Sequence, residues 1–132
     1  MANEWQPKYQ ASLIRLMGHD EDGLRWHAAE ILMGKIDRSF DPELKKLLED
    51  PDPRRRGLAA YLAMSLWKDE AITVLRPWLR EPSQLLRFDA ISALVQHGSE
   101  EARKVVEEHR RTEKQPYLQR VLEMRATGAA GK

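Results

Sequence analysis

Three arginines, Arg25, Arg56 and Arg87, stand 31 residues apart, and Ala28, Ala59 and Ala90 follow them in the same step. Leu32, Ala63 and Leu94 keep the register. A second set precedes each of these: Leu13, Leu44, Leu75 and Val106, with Met17, Leu48 and Leu79, and with Leu16, Leu47 and Trp78. A fixed period of this size means an array of supersecondary units, each too small to bury its apolar face without a neighbour. Inside a unit, apolar residues such as Leu24, Ala28, Ile31 and Leu32 return every three or four positions, which puts them on one face of an α-helix. No segment alternates apolar and polar residues as a strand would. The fold class expected is all-α, a right-handed α-solenoid of helix pairs.

Turn chemistry sets the boundaries. Asp41 before Pro42, Asp52 before Pro53, Ser83, and Ser99 after Gly98 read as helix starts, and Gly98 also as the end of the helix before it. One helix of each pair is expected near 23–35, 53–67, 84–97 and 116–125, and the other near 7–17, 42–49, 70–80 and 100–110. A single domain is expected over 1–126, with a Gly- and Ala-rich flexible tail over 127–132.

The chain of 132 residues has no cysteine, so disulfides, thiolate nucleophiles and Cys-ligated zinc are out of consideration. No segment approaches the roughly 18 uncharged apolar residues of a membrane span, and the polar first ten residues carry no export signal. A cytoplasmic location is expected. The 22 basic residues nearly balance the 21 acidic ones, so no global field calls for nucleic acid or an anionic membrane. The balance is uneven along the chain: residues 1–50 hold 7 basic and 10 acidic side chains, residues 51–132 hold 15 and 11.

The stretches from Asp50 to Ala60 and from Pro82 to Ala90 resemble the short HEAT-like repeats found in many microbial proteins and in phycobilin lyase subunits. Each has an acidic or proline-bearing loop, an arginine near the start of the next helix, and small residues beyond it. The resemblance covers about residues 5 to 125. The fourth unit departs from the pattern, with Leu118 where arginine would stand and Val121 where alanine would, as in a capping repeat. The resemblance implies a helical solenoid with a binding habit, without naming a ligand.

Arg25, Arg56 and Arg87 are expected to be structural, bonding loop carbonyls or nearby carboxylates such as Asp20, Asp22 and Asp52. The histidines at 19, 27, 97 and 109 have no His pair at i, i+4, so no metal site and no cofactor are expected and solvated positions are assumed. Catalytic residues are not expected. The run Arg54, Arg55 and Arg56 is short for a nucleic-acid patch and has Asp50 and Asp52 beside it. A broader candidate is an anion-binding stripe of Lys45, Arg76, Arg80, Lys104 and Arg111, interrupted by Glu49 and Glu107. A second candidate follows from helix geometry. With Ala28 and its equivalents at the centre of the buried face, positions 26, 30 and 33 of each unit point to solvent. These hold Trp26, Met33, Tyr61, Met64, Phe88 and Val95, relieved only by Glu30, Gly57 and Ser92, an apolar ladder suited to a protein partner or to self-association. The leading function is a non-catalytic protein-binding scaffold. The alternatives are nucleic-acid binding through the basic stripe and an accessory subunit of a lyase-type enzyme.

Overall fold

The computed structural model describes residues 6–130, with side chains described at all of these except 7 and 125–130. The helices are α1 (Pro7–Leu16), α2 (Asp22–Met33), α3 (Asp41–Leu47), α4 (Pro53–Trp67), α5 (Glu70–Leu75), α6 (Gln84–His97), α7 (Glu100–Arg110) and α8 (Pro116–Ala130). Two 3₁₀ turns, Arg38–Phe40 and Arg76–Arg80, lead into α3 and follow α5. No strand occurs among the described residues. The helices fall into two compact units, one ending at Trp67 and the other beginning at Lys68.

In the first unit, α2 packs against α1 and α4, and α3 packs against α4. Met17, Leu32, Leu44 and Leu62 are fully buried there, and Ala28 and Ala59 lie in the same core. Alanine at those two positions adds no bulk beyond Cβ, which lets helix backbones approach closely. The start of α3 differs from the sequence expectation. Asp41 caps nothing, because the chain enters α3 directly from the 3₁₀ turn, whose own cap is Asp37 accepting the Ser39 N–H at 2.9 Å. The Asp41 carboxylate instead accepts the indole N–H of buried Trp67 at 2.6 Å and the Arg38 Nε–H at 2.9 Å. These bonds, the Trp67 one foremost, hold its carboxyl below the ordinary value of 3.8. The other expected cap holds: Asp52 accepts the Arg54 N–H at 2.9 Å at the head of α4.

In the second unit, α6 packs against the 3₁₀ turn 76–80, α7 and α8. Residues 70–80 do not form one helix as expected. Pro77 has no N–H to give and its ring would strike the carbonyl one turn back, so α5 stops at Leu75 and the chain tightens into 3₁₀. Ser83 and Ser99 cap α6 and α7 by accepting the N–H groups of Leu86 and Ala102 at 3.3 and 3.2 Å. Gly98 closes α6 in the left-handed conformation, φ 70°. Helix α8 buries Leu118, Val121 and Leu122 and continues to Ala130, past the expected end near 125. Residues 131 and 132 of the expected tail lie outside the described residues.

At Lys68, just past the end of α4, a side-chain-bearing residue sits in the left-handed region, φ 55°. A Cβ there costs about 1 kcal/mol or more, which glycine escapes in part against its own entropy. Lys68→Gly is therefore expected to stabilise the fold by about 0.5–1 kcal/mol, read as a higher midpoint in urea. A lower midpoint would mean that contacts of the Lys68 side chain outweigh its backbone strain.

Candidate functional site

The polar centre of the second unit is built on Glu113, whose side chain is only 2% exposed. A buried carboxylate needs donors on both oxygens. From α6, Arg87 supplies Nε to Oε1 at 3.2 Å and Nη2 to Oε2 at 3.3 Å. His109, one helical turn earlier in the chain, places Nε2 2.6 Å from Oε1. The Gln115 N–H gives a bond of 3.0 Å to Oε2. Burial pushes the Glu113 carboxyl up, but the Gln115 amide, His109 and Arg87 together outweigh it and hold it below the ordinary 4.5. The Glu113 backbone carbonyl accepts from the Gln119 amide at 2.7 Å. One residue thus ties α6, α7 and α8 together.

Arg87 does more than pair. Its Nη1 donates to the carbonyls of Glu81 and Pro82 at 2.7 and 3.0 Å, six and five residues back. Arg25 does the same in the first unit, its Nη1 reaching the carbonyls of His19 and Asp20 at 2.7 and 3.1 Å, while its Nη2 bonds Asp22. Arg25 and Arg87 thus each fix the loop that precedes their own helix, and Arg56, in the same register, is half-buried as they are.

Beside this centre, still within the second unit, lies a groove of about 810 Å³. Its lining includes the buried Leu79 and Val105 and the exposed Pro82 and Pro116. Around it stand Arg76, Arg80 and Lys114, all exposed and without a hydrogen-bond or ion-pair partner among the described residues. The groove also carries Glu81 and Glu108, and Arg87, His109 and Glu113 form part of its lining.

Of the five cations of the expected stripe, the groove gathers Arg76 and Arg80. Lys104 and Arg111 are exposed but outside its lining, and Lys45 belongs to the first unit. Lys114 completes the set and was not singled out from the sequence. Two of the arginine run are paired with carboxylates: Arg54 reaches Asp20 at 2.7 Å, and Arg55 reaches Asp50 at 3.0 Å. The histidines divide. His19 and His27 are exposed as expected. His109 and His97 are mostly covered, the latter 2.8 Å from Asp69, because each has a carboxylate within reach to hold it in place.

The outward ladder is corrected in its phase. Met64 is buried, and Trp26, Met33, Tyr61, Phe88 and Val95 are half-buried. Gly57 and Ser92, also expected on the outer face, are buried too. The reason is that α4 and α6 are covered nearly all round, so neither has a single solvent side. The rings find partners inside their units. Trp26 meets Tyr61 edge to face at 4.9 Å, and Phe88 stacks with Tyr117 at 6.2 Å. Exposed apolar side chains sit elsewhere, among them Leu24 and Ile31 on α2, Leu85 on α6 and Met124 on α8.

Glu113 was missed by sequence reasoning, although a signal was present. Asp50 and Glu113 each stand three residues before a proline that opens a helix, Pro53 or Pro116. Both accept the N–H two residues on, from Asp52 at 2.8 Å and from Gln115 at 3.0 Å, and both pair with an arginine.

The family model for HEAT repeats matches residues 41–125, from the first residue of α3 to the fifth residue past Arg120 on α8. The chain belongs to the HEAT-repeat family. No curated protein and no solved structure matches it. The match leaves out α1 and α2, yet Arg25 follows the HEAT column in both spacing and bonding. Among the described residues of this HEAT-repeat chain, no helix is long and apolar enough to cross a membrane.

Proposed function

We propose that this HEAT-repeat protein is a non-catalytic scaffold that holds a protein partner in the groove of its second unit. The reading rests on one observation: the charges of the groove divide into a locked set and a free set. Arg87 and His109 are each bonded to Glu113, and Arg87 and Glu113 are bonded to backbone as well. A carboxylate held in its ionised form by three donors has no proton to give and little basicity to offer, which argues against general acid or base work at this centre. Arg76, Arg80 and Lys114 are unspent and exposed in a lining that also carries exposed Pro82 and Pro116, so the groove offers both charged and apolar contacts to a partner.

A photo-crosslinking residue placed at Thr112, an exposed position of the groove lining, tests the reading. In cells it is expected to capture a discrete protein, whereas the same residue at exposed Ser12 on α1 is not. Equal capture at both positions, or none at Thr112, would remove the groove from consideration as the binding surface.

A further inference from the structure

We infer that the occupant of the groove is an acidic peptide segment of the partner, with an apolar residue among its carboxylates. This rests on the reading of the groove as a partner-binding surface and specifies the chemistry that fills it. Three features of the lining carry it.

The first is the set of unspent charges. Arg76 and Arg80 lie four residues apart at the two ends of the 3₁₀ turn, and Lys114 comes from the loop before α8. Arg87 adds no free charge, because Glu113 takes its Nε and Nη2 and two carbonyls take its Nη1. A guanidinium presents donors in a planar fork that matches a carboxylate in two bonds, so Arg76 and Arg80 each suit one acidic side chain. The second is the apolar part of the lining. Exposed Pro82 and Pro116, in the same lining as the buried Leu79 and Val105, offer apolar surface against which an acidic peptide can set one aliphatic or aromatic side chain. The third is the pair Glu81 and Glu108. Their carboxylates would repel a polyphosphate backbone, which carries charge at every step, but a peptide can place an uncharged or basic residue opposite them. The lining holds no Phe, Tyr or Trp among the described residues, and the His109 ring is largely covered and paired with Glu113, which leaves little aromatic surface for a nucleobase to stack on. A volume of about 810 Å³ fits a short segment rather than a folded domain.

The experiment measures fluorescence anisotropy of three labelled probes with the full chain: a peptide alternating glutamate with leucine, the same peptide with glutamine for glutamate, and oligothymidylate of equal charge. The acidic peptide is expected to bind, more weakly as salt shortens the screening length from about 10 Å at 0.1 M to about 3 Å at 1 M. The variant Arg76→Glu, Arg80→Glu is expected to lose about tenfold or more in affinity, with Lys114→Glu smaller in effect. Because these side chains have no partner among the described residues, the variants should melt as the wild type does, and circular dichroism checks that they do. If the glutamine peptide binds as well as the acidic one and is captured by the crosslinking residue at Thr112, the groove still takes a peptide but the charge assignment fails. Tighter binding of oligothymidylate overturns both the assignment and the scaffold reading. If the acidic peptide fails to bind, or binds the charge-reversed variant equally, the inference is wrong whatever the crosslink captures.

Discussion

Glu113→Ala is expected to cost about 3–5 kcal/mol of stability at neutral pH, because it strands the guanidinium of Arg87 in a largely covered site and frees the Gln115 amide. Denaturation in urea would measure it, and a loss below about 1 kcal/mol would mean that the centre relaxes or admits water easily. Acid offers a second readout. The Glu113 carboxyl lies below its ordinary 4.5, so its contribution is complete above that value and disappears as pH falls through the lower, folded value. The wild type should therefore lose stability below about pH 4.5, and Glu113→Gln should flatten that limb. Some slope should remain, since hydrogen bonds from Trp67 and His97 also depress Asp41 and Asp69. An unchanged acid limb in Glu113→Gln would assign the acid sensitivity to those residues instead.

Leu118→Ala is expected to cost about 2–5 kcal/mol, the range for deleting a fully buried leucine and leaving a cavity behind. The position is informative because it breaks the arginine column. Leucine in place of arginine puts an apolar side chain into the core: Leu118 and Leu122 are among the best buried side chains of the described residues. Met124, on the same helix but 72% exposed, provides the control, and Met124→Ala should change stability by less than about 0.5 kcal/mol. Similar effects at both positions would contradict the placement of α8.

The helices were legible in the sequence because period, caps and prolines agreed. Ser83, Ser99 and Gly98 act where their chemistry put them, and α4 and α6 span the residues assigned to them. Pro77 was visible as well, but the apolar register of Leu75, Trp78 and Leu79 hid its effect, since a 3₁₀ turn carries nearly the same side-chain spacing as an α-helix. The exposure expected of the ladder differs for another reason. Helix geometry gives the angle between two side chains but not how many neighbours a helix has, and Met64 and Ser92 are buried because α4 and α6 are covered on more than one side. The groove was half legible. Arg76 and Arg80 stood out as cations in register, whereas Lys114 lies in a loop with no period to mark it. Glu113 was obscured by abundance, because one acid among 21 is conspicuous only once it is aligned with Asp50.

The long-range side-chain bonds of both units have nearly the same reach along the chain. Arg54 to Asp20 spans 34 positions, His97 to Asp69 spans 28, and Trp67 to Asp41 and Arg87 to Glu113 span 26 each. Each bond therefore closes a loop of about one repeat, and loop-closure entropy grows only slowly with length. Such contacts favour folding in the microsecond-to-millisecond range of local helical topologies. During synthesis, these bonds need no residue more than about one repeat ahead of those already made. The unit ending at Trp67 can thus set its bonds while the ribosome is still adding the residues of the next.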